Sequence, residues 1–191
     1  MQERTIGLLL QSFPYLSSHR ILKVLTPDAG LLTFMALFAA SKRAALTTPF
    51  LLAEWVYAKS KKEILTVTDA SLLDPLSDLK KDFAYLSAAG RIAQDLLRTQ
   101  LPGKPAQAPF ELALACLRKV SYFPNPSILP ILFRLRLLSL EGLLPLNIPV
   151  SPTEKPLLEQ LLHCKSFAQL ATLPRDELLF QKINNLFENS W

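Results

Sequence analysis

Cysteine, histidine and glycine are scarce in this chain: it has 2 cysteines, 2 histidines and 5 glycines among 191 residues. Cys116 and Cys164 stand far apart and are too few for a disulfide framework, so a reducing cytoplasm is the expected setting. A metal site needs about four ligands at coordinating spacing. The scattered Cys116, Cys164, His19 and His163 do not supply one, and no metal is expected. His163 adjoins Cys164, but neighbours on a helix point about 100° apart and do not form a nucleophile with its base. Gly103-Lys104 lacks the upstream glycine and the following Ser or Thr of a phosphate-cradling loop. With no catalytic constellation visible, the expectation is a protein that is not an enzyme and carries no cofactor. Met1 to Arg4 does not start a secretory signal, and the longest uncharged apolar run, residues 29–41, is too short to span a bilayer as a helix.

What is present is a large apolar content, 50% of residues, with 15 prolines and a formal charge of +5. A core is therefore available, and the modest positive charge is compatible with an acidic partner such as nucleic acid. Ile6, Leu8 and Leu10 alternate as a half-buried strand requires. Pro14 and two serines end that ladder, and Arg20 to Leu25 resumes it. Thr26-Pro27-Asp28-Ala29-Gly30 is a turn: Pro27 presets φ, Asp28 can bond its own backbone, and Gly30 tolerates positive φ. Strands are expected at 4–13, 19–26, 30–40, 50–58 and 63–69. In the fourth, Leu51, Ala53, Trp55 and Tyr57 share one face. Five short strands suit a small closed barrel, and alternation alone leaves an OB-fold and an SH3-like barrel both open.

At Leu73-Asp74-Pro75 the apolar period changes from 2 to 3.6. Ser77 is placed to cap a helix reaching about Gln100, and Pro109 opens a second. Ser127 is placed to cap a third, apolar on nearly every side and so expected as the axis of a bundle. A fourth follows the proline-rich residues 143–152. Ser166 with Gln169 forms a capping box for a short fifth, and a last helix runs from about Arg175 to Phe187. The expected fold is α+β: an N-terminal five-stranded barrel, residues 1–74, packed on a C-terminal all-α bundle, residues 75–191.

Several stretches resemble the bacterial RecO family of recombination mediators. They are Pro14-Tyr15, Ser17-Ser18, Arg20-Ile21-Leu22, the Thr26 to Gly30 turn and Leu31-Leu32. Pro49-Phe50-Leu51-Leu52 and Leu65-Thr66-Val67-Thr68-Asp69-Ala70 continue the series, as do Asp82 to Ala89 and Phe133-Arg134-Leu135-Arg136-Leu137-Leu138 with Gly142. The resemblance implies an OB-fold barrel. It also implies binding of single- and double-stranded DNA, annealing, and loading of the RecA recombinase with the RecR mediator, at the cytoplasmic nucleoid. It further implies capture of the C-terminal tail of single-strand-binding protein in the helical domain. Many members carry a four-cysteine zinc module just beyond the glycine. Here no cysteine lies between Leu146 and Ser151, so that module is missing.

Lys42 and Arg43 follow the third strand, and Lys59, Lys61 and Lys62 lie in the next hairpin; these strand-end cations are the candidate DNA contacts. Phe34, Phe38, Trp55 and Tyr57 are the aromatic candidates for base stacking, most of them better suited to the core. Arg134 and Arg136 lie on an otherwise apolar helix. One reading pairs them with an acid such as Glu111 or Glu177; the other, implied by the resemblance, gives them to the acidic Phe-ended tail. Arg91, Arg98, Arg118 and Lys119 are placed to widen a basic face. The third strand runs into Ala36-Leu37-Phe38, where the family carries more basic residues. That substitution motivates an alternative: an interaction adaptor whose barrel has lost most DNA binding.

Overall fold

The computed structural model describes residues 2–16, 19–37, 44–58, 63–145, 148–163 and 165–191. Five strands open the chain: β1 Gln2–Tyr15, β2 His19–Thr26, β3 Gly30–Ala36, β4 Leu51–Ala58 and β5 Ile64–Asp74. They close in the order β1-β2-β3-β5-β4. All pairs are antiparallel except β3 with β5, where Thr33, Phe34 and Met35 lie opposite Ile64, Leu65 and Thr66. This is the five-stranded closed barrel of the OB type, and with the helices that follow it the fold is α+β.

Two strands run further than alternation indicates. β1 passes through Pro14 to Tyr15 because its second half pairs with β2 alone; on that side a missing N–H breaks no ladder. β5 continues past Asp69 to Asp74, opposite β4. The barrel core is Leu9, Leu22, Val24, Phe34, Leu51, Ala53, Trp55 and Tyr57 with neighbours from β5. The expected common face of β4 is thus its inner face. Trp55 satisfies its indole by donating Nε1–H to the Gly7 carbonyl at 3.1 Å.

The chain forms two compact units: residues 1–77 with 96–114, and residues 78–95 with 115–191. In the first unit the β2–β3 turn is held by chain well beyond the barrel. Gly103 donates to the Ala29 carbonyl at 2.9 Å, Ala106 to Pro27 at 2.7 Å, and Leu31 to Leu101 at 3.3 Å. Gly30 has φ +67, and a Cβ there would meet the Leu101 and Lys104 carbonyl oxygens at 2.3 and 2.4 Å.

The helices are α1 Phe83–Thr99, α2 Gln107–Arg118, α3 Ile128–Leu140, α4 Lys155–His163, α5 Phe167–Leu170 and α6 Glu177–Ser190. The helix expected from Ser77 is instead a 3-10 turn over Ser77–Lys81, and α1 starts after it, with Asp82 accepting from the Ala84 amide at 2.8 Å. Pro109 sits in the first turn of α2, where it removes no helical bond. Ser127 is not a side-chain cap: its backbone is already helical and its hydroxyl donates to Asn125 at 2.7 Å. Ser166 and Asp176 do cap α5 and α6. α3 buries nine residues, Ile128 to Leu138, and packs on α4 and α6 as the bundle axis.

Candidate nucleic-acid interface

Lys42, Arg43, Lys59, Lys61 and Lys62 lie outside the described residues, as does Phe38. Connectivity assigns the first two to the β3–β4 connection and the other three to the β4–β5 hairpin. Phe34, Trp55 and Tyr57 are buried in the core, with the Phe34 ring 5.9 Å from Trp55 and 5.2 Å from Tyr57. They hold the barrel together and offer no face to a base. Burial, with the neighbouring Glu3, also raises the Tyr57 phenol above its ordinary pKa.

The barrel's register shows which side chains face outward. Cross-strand partners share a face. Leu22, Phe34 and Leu65 form one row across β2, β3 and β5 and belong to the core. By parity the rows on either side point away from that core, Phe13, Ile21, Met35 and Thr66, then Gln11, Lys23, Thr33 and Ile64, although Ile21 itself is only 5% exposed. On β1, Phe13 is 39% exposed and Tyr15 48% exposed; the next residue, Leu16, is 73% exposed with φ 56. On the same face Lys23 donates Nζ–H to Thr33 Oγ1 at 2.8 Å, while Arg20, on the opposite face with Leu22, donates Nε–H to Ser12 Oγ at 2.8 Å. Sequence reasoning passed over these residues because Pro14 reads as the end of a strand. The available signal was the shared parity of Phe13 and Tyr15.

In the second unit Arg134 and Arg136 are turned to internal use. Arg134 grips Asp95 with two bonds of 2.8 Å, from Nε and Nη2, and donates Nη1–H to Asn184 at 2.9 Å. Its guanidinium also lies 4.9 Å from the Phe187 ring centre. Asp95 is only 3% exposed, so this pair joins α1, α3 and α6 from within. Bonds to Asp95 hold Arg134 charged and raise its pKa further. Arg136 donates Nε–H to the Leu161 carbonyl at 3.0 Å, tying α3 to α4. The acid is therefore Asp95, while Glu111 accepts from Gln107 and Glu177 pairs with Arg175.

The same unit has an open cleft of about 240 Å³ between the start of α1 and the start of α3. Phe83, Ser87, Ala88, Pro126 and Pro130 line it, and exposed Arg91 stands at its side. Phe83 is 83% exposed. Among the described residues no group of three or more His, Cys, Asp or Glu side chains is placed to hold a metal, and no helix is long and apolar enough to cross a membrane.

Comparison with known proteins identifies the barrel. Residues 1–76 match the family model described as "Recombination protein O N terminal". Three curated relatives share the name "DNA repair protein RecO". That of Chlamydia pneumoniae is 25% identical over 225 residues, covering 99% of this chain and 88% of the relative. That of Chlamydia muridarum is 28% identical over 176 residues, with 90% and 69% covered. That of Chlamydia trachomatis serovar D is 27% identical over 183 residues, with 91% and 75% covered. The first alignment is longer than the chain's 191 residues, so that relative carries segments this chain lacks. The barrel thus matches the RecO family's amino-terminal domain, and the chain is similar to RecO proteins along nearly all of its length.

Proposed function

We propose that the protein is a non-enzymatic recombination mediator in DNA repair. It binds single- and double-stranded DNA, anneals complementary strands, and with RecR helps place RecA on single strands coated by single-strand-binding protein. One observation carries this reading: the closed barrel, in OB strand order, coincides with the residues that match the RecO amino-terminal domain. The mechanism is electrostatic. Lys42, Arg43, Lys59, Lys61 and Lys62 neutralise phosphates on two backbones, which lowers their mutual repulsion and lets complementary bases meet. No bond is made or broken, and the setting is the cytoplasmic nucleoid.

The tail of single-strand-binding protein is acidic and ends in phenylalanine in the family's known partners. The cleft beside Arg91 fits that chemistry, with apolar walls for a ring and a guanidinium for carboxylates. Arg134 serves this site as a support, and Arg136 holds α3 to α4. Arg134 fixes Asp95, one helical turn beyond Arg91 on α1.

Fluorescence anisotropy of a labelled single strand, at about 50 and 200 mM salt, tests the reading; several phosphate contacts predict a loss of orders of magnitude over that range. A Lys42→Glu/Arg43→Glu variant should bind more weakly and anneal more slowly than the wild type. No binding at the lower salt would overturn the mediator reading. The same cleft favours the second reading: a protein that takes the tail peptide yet ignores DNA would be an interaction adaptor.

A further inference from the structure

We propose that the outer face of the β1–β2 hairpin stacks the unpaired bases of single-stranded DNA, with Phe13 and Tyr15 as the platforms and Leu16 beside them. The inference rests on the DNA-binding reading above and deepens it, since it names the part of the ligand that this face takes.

Three large apolar side chains stand exposed within four consecutive positions. Single exposed apolar residues are ordinary, but a contiguous group on a rigid strand marks a surface built for contact. Leu16 adds backbone strain, because a bulky residue rarely adopts φ near 56°.

The spacing selects the ligand. Residues two apart on a strand lie roughly 6.8 Å apart and point the same way. That is about twice the 3.4 Å step of stacked bases in a duplex. Two bases can therefore each lie on one ring only when the strand is open and its own stack is broken.

Charge completes the argument. Lys23 lies on the same face as the aromatics and donates to a neutral hydroxyl oxygen, which leaves its positive charge in place. The two outward rows and the Tyr15–His19 pair contain no Asp or Glu. An apolar strip with a cation beside it and no acid in its rows suits a strand whose bases are aromatic and whose backbone is anionic.

The test compares a labelled thymidine oligonucleotide with an abasic strand of the same length and charge, both by anisotropy on the full chain. The wild type should prefer the base-bearing strand. Phe13→Ala/Tyr15→Ala should bind that strand about tenfold to hundredfold more weakly. Its affinity for the abasic strand, and the slope of affinity against salt, should stay as in the wild type. Phe13→Tyr/Tyr15→Phe keeps both rings and should bind normally, and thermal melting of each variant checks the fold. Unchanged binding of the base-bearing strand by the alanine variant would overturn the inference and leave the mediator reading standing. An equal loss on both strands would also overturn it, as would retained DNA binding with lost capture of RecR, which would make the strip a protein interface. Absence of DNA binding by the wild type would instead defeat the mediator reading on which the inference rests.

Discussion

Arg134 answers a question posed by its own neighbourhood: how an apolar helix tolerates a charge. It does so by meeting a carboxylate buried more deeply than itself, in the two-pronged geometry that only a guanidinium provides. Arg134→Ala leaves Asp95 buried without its partner and should cost about 3–5 kcal/mol in chemical denaturation. Arg134→Lys should recover only part of this, because an ammonium cannot make both bonds. Loss of tail-peptide binding without loss of stability would return Arg134 to the partner site. Cys116 makes a second residue-scale case. Burial pushes its thiol up to about 12. The neutral thiol is inert, so peptide mapping after brief alkylation at pH 8 should find Cys116 unmodified in the folded protein and labelled in denaturant. The sign of the linkage follows. A raised folded pKa contributes stability that is intact below the ordinary value of about 9.0 and is lost as pH climbs toward 12. At this scale the sequence showed that Arg134 needed a partner and not which one. Asp95 lies 39 positions away, and only the crossing of α1 with α3 and α6 selects it over Glu111 or Glu177.

The clasp on the β2–β3 turn tests how elements depend on one another. Gly30→Ala asks an L-residue to hold positive φ, which alone costs about 1–3 kcal/mol, and it drives a methyl into two backbone carbonyls. A clear drop in melting temperature is expected, whereas Gly90→Ala, with open space around it, should be tolerated. At the other end of the chain, Glu154 at the start of α4 accepts from the Ser151 amide at 2.6 Å and from Lys182 on α6 at 2.7 Å. The Lys182 bond, then the Ser151 amide, hold its carboxyl below the usual range. Its contribution is therefore present above about pH 4.5 and fades as acid protonates it. In acid titrations of stability, Glu154→Gln should be less stable than the wild type at neutral pH and should converge with it at low pH. Elements were the most legible layer of this molecule. Alternation located all five strands, and α3 announced its burial by being apolar on nearly every side. Boundaries were less legible where pairing decides them. Pro14 stays in β1 only because the strand has a free edge there, and Ser127 fails to cap because Asn125 takes its hydroxyl.

For the whole molecule the decisive quantity is the response to salt. A charge of +5 is small, so affinity for DNA must come from clustering rather than total charge. Each phosphate contact removed should lower the slope of log affinity against log salt by about 0.7 on single strands. Lys23→Gln should change that slope, and Phe13→Ala should not. The candidate phosphate contacts were legible as lysines and arginines between strands. The aromatic strip was not, because a face is defined by register and register is absent from a linear string. The family's domain match ends at residue 76, yet the compact unit reaches to residue 114. A fragment ending at residue 76 should accordingly melt below the barrel transition of the full chain.

That same clasp sets a schedule for the ribosome. The barrel's last strand is synthesised by Asp74, but the turn between β2 and β3 waits for Leu101 to Ala106 before its carbonyls and amides are matched. At ~5–20 residues per second, those further thirty or so residues delay completion by roughly 2–6 s. Nascent chains arrested before and after this point should differ in protease resistance of the barrel. Translation speed through the α1 and α2 codons would then govern how long a half-finished barrel is exposed to its neighbours in the cell.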